Sequence, residues 1–332
     1  MRGLAILAVI IIHVTAEATI AYPSDTTRFI SYNIINSLAQ FAVPVFLFIS
    51  SVVLTWKQTK EEVPLSKFYT KRLKTVIVPY LVWSTFYFIL KTVCFRGSTA
   101  LSLNFIGREL VNGTAYYHLY FLLIVIQLYL FIPLVCTFIK KMKSLHMIVL
   151  TLFLQVLFYI LNKAWIYEIY PHPANLLGSY LSVFVVGCWI GANYQKVKAV
   201  FLKYKVHLWS LSLLVVICYV IINIKLRMNE PVGLIVYYGA YHLFALFSSL
   251  SIWLFFVENQ SSFFNIFGAQ SFPMYLIHPL FLGIWNTLWH AIGFSTNDFL
   301  YLTGLLFTVV FSYVASCIFT KWKLLSKIFL AR

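Results

Sequence analysis

Residues 1–17 read MRGLAILAVIIIHVTAE. The run is apolar enough to cross a membrane, yet it carries a cation, Arg2, and two ionisable residues further in, His13 and Glu17. Arg2 and His13 are eleven positions apart. At 3.6 residues per turn that is close to three full turns, so the two side chains share a face about 16 Å apart along the axis. Glu17 lies four residues beyond His13, again on that face. One stripe of the helix thus runs from a cation at the membrane surface to an imidazole at mid-depth and a carboxylate one turn on. An ionisable side chain at mid-membrane costs on the order of 2.5–3.5 kcal/mol for Asp, Lys or Arg, which makes such a residue a candidate for function. A carboxylate one turn away can fix the tautomer of an imidazole and stabilise its protonated form, as a general base requires. The bland alternatives are a His that bonds a neighbouring helix and a Glu solvated at the outer interface. The run also has the outline of a secretory signal peptide, but a cleavable signal has no reason to hold His and Glu at a fixed spacing.

The rest of the chain agrees with a membrane reading. Of its 332 residues 61% are hydrophobic and only 10% charged, with a mean hydropathy of +0.87. A soluble domain has roughly 45–50% and about 25%. Aromatic residues make up 19%, enough for belts at two interfaces. No internal repeat or hydrophilic domain-sized stretch appears, so residues 1–332 read as a single transmembrane domain. Runs of about 20 apolar residues span a bilayer. Ten are found, at 3–22, 33–55, 75–95, 119–139, 146–162, 176–194, 207–224, 233–256, 272–291 and 299–320. The expected fold is an all-α integral membrane protein, a bundle of about ten transmembrane helices.

The net charge of +16 is spread around the apolar runs, which argues for orientation signals and contact with anionic lipids and against nucleic acid. Counting Lys and Arg in alternate loops gives 18 on the side of Arg2 and 7 on the other. Positive residues stay inside, so both termini are expected in the cytoplasm. The five cysteines (Cys94, Cys136, Cys188, Cys218 and Cys317) are scattered, which predicts neither a disulfide framework nor a metal site.

Several further positions carry possible chemistry. Lys71, Arg72 and Lys74 crowd the start of the third span, where clustered cations attract phosphate-bearing ligands; the same residues also suit a lipid anchor. Tyr275 and His278 share a helical face at i, i+3, beside Pro279. His118 and Tyr120, with Tyr116 and Tyr117, form either an interfacial belt or a platform on which sugar rings stack. Gly187 and Gly191 in GCWIG (187–191) read as a helix-packing pair. His146, His172, His207, His242 and His290 show no supporting pattern.

The stretch RGLAILAVIIIH (2–13), with Arg and His on one face of the first span, resembles the acyltransferase-3 family of integral-membrane acyltransferases, which includes the membrane proteins of poly-N-acetylglucosamine (intercellular-adhesin) systems. Similar segments follow in order: AVPVFLFISSVVLT (42–55), FYTKRLKTVIVPYLVW (68–83), HLYFLLIVIQLYL (118–130) and SFPMYLIHPLFL (271–282). Where the family often shows Arg-x-x-Arg before span three, Thr75 follows Arg72 at that spacing. The resemblance implies transfer of an acyl group, acetyl being favoured, from cytoplasmic acyl-CoA to a hydroxyl of a cell-envelope carbohydrate or lipid-linked sugar. His13 and Glu17 would serve catalysis. Arg2, Lys71, Arg72 and Lys74 would hold acetyl-CoA or another acyl-CoA, and Tyr275, His278, His118 and Tyr120 the acceptor, with no metal. It also implies a multi-pass protein of a bacterial plasma membrane, in contact with lipids and with glycosyltransferases of the same pathway. The alternatives are an exporter of an envelope polysaccharide such as poly-N-acetylglucosamine and a family member that has lost catalysis.

Overall fold

The computed structural model describes residues 1–61, 64–92 and 103–331. Cys94, Arg96 and the end of the span expected at 75–95 lie outside the described residues, as does Arg332. The described chain is helical: α1 (Arg2–Ala21), α2 (Thr27–Ala39), α3 (Ala42–Glu61), α4 (Leu65–Lys91), α5 (Leu103–Asn112), α6 (Tyr120–Ile139), α7 (Ser144–Leu161), the short α8 (Tyr167–Ile169), α9 (Leu181–Ala192), α10 (Tyr194–Lys203), α11 (Lys205–Arg227), α12 (Leu234–Glu258), α13 (Ser262–Ala291), α14 (Asp298–Lys321) and α15 (Lys323–Leu330).

Among the described residues, eight helices are long and apolar enough to cross a membrane, and a ninth span results if Leu177–Ala192 and Tyr194–Lys203 are taken together despite a bend of 106° between them. Ten is therefore not reached on those grounds. The shortfall is α13, which covers the expected 272–291 span with 30 residues but is diluted by Asn265, Gln270, His278, Asn286 and His290. The span expected at 33–55 is a 35-residue stretch, Thr27–Glu61, made of α2 and α3 with a break at Gln40 and Phe41. Thr26 caps α2 by accepting from the Phe29 N–H at 3.2 Å, which satisfies one of the donors a helix start leaves open.

α7 shows why these helices need lipid. Leu152, Phe153 and Val156 are each more than half exposed, whereas a water-soluble helix would turn such a face inward. In hydrocarbon the same face is at rest, and the helix satisfies its own backbone groups.

The chain divides into two compact units. The first is residues 1–49 with 195–318; the second is residues 50–194 with 319–332. In the first, α1 packs on α13 and α2, and α11 packs on α12 and α2. In the second, α4 packs on α6 and α15, and α9 on α6 and α7. Gly191 presses α9 onto α3: an added Cβ would sit 2.4 Å from the Val52 carbonyl, in line with the packing role read from its spacing. Among the described residues, Cys136, Cys188 and Cys218 are free thiols.

In the first unit a clasp joins three helix ends. Tyr22 and Tyr32 donate to Asp298 Oδ1 at 2.9 and 3.0 Å, and Arg28 pairs with Oδ2 at 3.1 Å. Burial and the adjacent Asp298 carboxylate raise the Tyr22 phenol above its usual range, because both disfavour the phenolate. The clasp fixes the end of α1 opposite Arg2.

Candidate active site

α1 and α13 run parallel and in step. At one end Gly3 faces α13 so closely that a Cβ there would lie 2.0 Å from the Phe264 carbonyl oxygen and 2.9 Å from the Gly268 nitrogen. Ten residues further along both helices, the His13 and His278 rings stack with centroids 5.3 Å apart and planes inclined by 26°. Ten residues rise about 15 Å, so the imidazole pair sits deep in the span. Further still, Asn286 Nδ2 donates to Glu17 Oε2 at 2.7 Å.

The orientation of His278 follows from its neighbour. Pro279 has no N–H, so the Tyr275 carbonyl four residues back loses its helical donor. His278 Nδ1 fills that place, donating to the Tyr275 carbonyl at 2.8 Å, with the Met274 carbonyl at 3.3 Å. Carbonyls only accept, so in the neutral ring Nδ1 holds the hydrogen and Nε2 the lone pair. His278 is fully buried. Tyr275 is buried as well, its ring centroid 5.9 Å from that of His278.

A second network steadies the turn of α1 that carries His13. Asn36 Nδ2 donates to the Ile12 carbonyl and to Thr15 Oγ1, both at 2.9 Å. Its Oδ1 accepts from Gln40 at 3.1 Å and from Arg227 at 2.9 Å. Both donors and both acceptor positions of the amide are thereby used.

Of the expected site residues, the first unit brings together His13, Tyr275 and His278, with Glu17 one turn beyond His13. Arg2 is exposed at the end of the same helix. The sequence reading missed Asn286, Asn36 and Arg227. A signal for Asn36 was present: Asn33, Asn36, Ser37 and Gln40 fall at i, i+3, i+4 and i+7, a polar stripe of helical period.

The other expected residues belong to the second unit. There a cleft of about 330 Å³ lies between the end of α3 and the start of α4, lined among the described residues by Lys57, Lys67, Lys71 and Arg72 against Glu61. Lys57 reaches Glu61 at 3.3 Å, leaving an excess of cations around the cleft. Lys74 is exposed and outside the lining, as is Lys60. A second cleft, of about 340 Å³, is lined by Tyr116, Tyr117, Tyr120, Lys91 and His172. Tyr120 thus faces a cavity of aromatic rings. His118 does not line it; only 1% exposed, it packs edge-on against Tyr87 with ring centroids 5.1 Å apart.

This arrangement brings two imidazoles together on one pair of long helices. In comparison with known proteins, a family model described as an acyltransferase domain, that of the acyltransferase-3 family, matches residues 1–321. The chain belongs to the acyltransferase-3 family and is a membrane acyltransferase. No curated protein and no solved structure matches it.

Proposed function

We propose that this protein moves an acyl group, acetyl for preference, from cytoplasmic acyl-CoA to a hydroxyl of a cell-envelope carbohydrate, and that residues 1–332 work as one domain. The observation that carries the reading is the imidazole pair, His13 stacked on a His278 whose Nδ1 is tied to the backbone. His13 takes the proton of the acceptor hydroxyl as its oxygen attacks the thioester carbon. The carbon–sulfur bond breaks, an ester forms, and the departing thiolate receives the proton from the imidazolium. His278 holds the His13 ring in place. Glu17, kept in position by Asn286, supports the positive charge that develops one turn away. Export of a polysaccharide, the other reading of the sequence, makes no use of such a pair.

The cationic cleft of the second unit suits the phosphates of the donor. Arg72 supplies a planar fork for two phosphate oxygens, and the lysines act as point charges. Arg72→Ala is expected to raise the KM for acetyl-CoA about tenfold, the range of one lost charge-assisted hydrogen bond, with a smaller change in kcat. Lys60→Ala, outside the lining, should change KM less than about twofold, within the range of an exposed charge. Equal small losses from both would reduce this loop to a lipid anchor. The tyrosine-lined cleft, with Tyr120 in its wall and His118 behind it, is the surface we assign to the acceptor sugar, because aromatic rings offer apolar faces with polar tips.

Donor and acceptor arrive from opposite sides in this proposal, with Arg2 and the 71–74 cluster facing the cytoplasm of a bacterial cell. A reporter fused after Arg332 should read cytoplasm, and one placed in 163–175 should read outside. The reverse result at either point would move the donor to the other face.

A further inference from the structure

Arg227 ends α11, a 23-residue helix, and so lies near the end of a span. It is half-buried. Its neighbour Lys225 pairs with Glu230 at 3.2 Å, but among the described residues Arg227 pairs with no carboxylate. It turns inward and donates from Nη2 to the neutral Asn36 Oδ1. A guanidinium has five N–H donors, so most of this one's hydrogen-bonding capacity is uncommitted. Three other acids of the first unit are already engaged: Asp298 with Arg28, Glu258 with Lys205, and Glu17 with Asn286.

The surroundings also hold unused capacity. Asn33 lies on the face of α2 that carries Asn36 and Ser37. It is fully buried, and among the described residues neither its Oδ1 nor its Nδ2 has a hydrogen-bond partner. Asn223, one turn before Arg227, donates to Ser37 Oγ at 2.6 Å, and Ser37 donates to the Asn33 carbonyl. Tyr219, a further turn back, donates to Gln40. α2 and α11 therefore meet along a polar seam, which reaches α1 through Asn36 beside the His13 turn. Polar glue between two helices needs only a pair or two of such groups. A seam that ends in a cation without a counter-charge, and contains a buried amide without partners, has room for a ligand.

We propose that Arg227, braced by Asn36, binds a lipid-borne phosphate at the end of this seam, one helix away from His13. An arginine fork suits a phosphate oxygen pair, and the membrane supplies phosphates at the depth of a helix end. The phosphate belongs either to a lipid-linked sugar, which would make this an acceptor subsite, or to a phospholipid headgroup. Calling it an acceptor subsite rests on the acyl-transfer reading; the binding itself does not. The bland alternative is an interfacial anchor, but an anchoring arginine reaches outward to headgroups, whereas this one is turned into the packing.

The test uses the purified full chain in dodecyl maltoside, without acyl donor, and follows its thermal unfolding midpoint. Dodecyl phosphate, a monoester like that of a sugar carrier, and dodecylphosphocholine, a diester like that of a headgroup, are titrated separately. At least one should raise the midpoint in a saturable way. Arg227→Gln keeps an N–H for Asn36 and should weaken that binding about tenfold, as expected for loss of a charge-assisted contact. Arg227→Lys, which keeps the charge and guards against a folding defect, should retain part of it. Lys60→Gln, at an exposed cation outside both sites, should leave it unchanged. A response to dodecyl phosphate identifies a sugar-carrier type of ligand, and a response to dodecylphosphocholine alone a headgroup; both support the site. No saturable effect of either probe, an undiminished effect in Arg227→Gln, or an equal loss in Lys60→Gln overturns it. Because no acyl transfer is measured, failure here would leave the acyltransferase reading standing, and the reverse also holds.

Discussion

His13→Gln is expected to abolish acylation of the acceptor while the protein inserts at normal abundance. Glutamine keeps similar bulk and hydrogen bonding but cannot take a proton at neutral pH. Loss of a general base typically lowers the rate about 10²–10⁴-fold, so activity should fall to that level. The ring stack on His278 is lost in the same variant, but the seam through Asn36 still holds this turn of α1 by its backbone and Thr15, so folding should survive. Glu17→Gln should be milder, since Asn286 can still bond an amide oxygen in place of the carboxylate. His207→Ala serves as the control and should stay near the parent rate. The measurement is transfer by purified protein with stopped-time product analysis, alongside membrane abundance. If His13→Gln still acylates close to the parent rate, the imidazole pair is packing and the mechanism given above is wrong.

Gly3→Ala is the second large expectation, and it acts through structure. The new Cβ would be placed 2.0 Å from the Phe264 carbonyl oxygen, a contact with backbone that no rotamer relieves. The helices must part, and overpacking of this kind costs about 1–3 kcal/mol. Because α1 and α13 run in step, separating them at Gly3 also shifts His13 against His278. A lower thermal midpoint together with loss of acyl transfer is expected, although residue 3 touches no reacting atom. Gly283→Ala, on the same α13 but with open space around the added Cβ, should be close to neutral in both. If Gly3→Ala keeps parent stability, the close approach of the two helices is not what sets the imidazole pair.

Much of this was legible along the chain because membrane insertion is a local property. A run of apolar residues declares a span wherever it stands, and the 3.6-residue period places Arg2, His13 and Glu17 on one stripe without reference to any partner. The segments that resemble the acyltransferase-3 family are likewise continuous, and the family match over 1–321 agrees with them. The span expected at 272–291 is likewise a helix, α13, although its polar residues lower its mean hydropathy. His278 and Asn286 belong to that helix for their contacts with α1, and hydropathy averages are blind to contacts.

The parallel pairing of α1 with α13 joins residues more than 260 positions apart, and no periodicity within either helix encodes it. That pairing gives His13 an imidazole neighbour and assigns Glu17 to Asn286, where the sequence alone had offered Glu17 as the partner of His13. The tautomer of His278 lies between the two cases: Pro279 removes the donor locally, but only the folded side chain shows that Nδ1 takes the vacant carbonyl. Arg227 depends wholly on tertiary structure, since a cation at a helix end reads as an anchor until Asn36 is found beneath it. The sequence by itself determined that this chain lives in a membrane and carries ionisable groups where they are costly. Tertiary structure decided which of those groups meet, because side-chain partners across helices depend on helix direction and register, which local hydrophobicity does not specify.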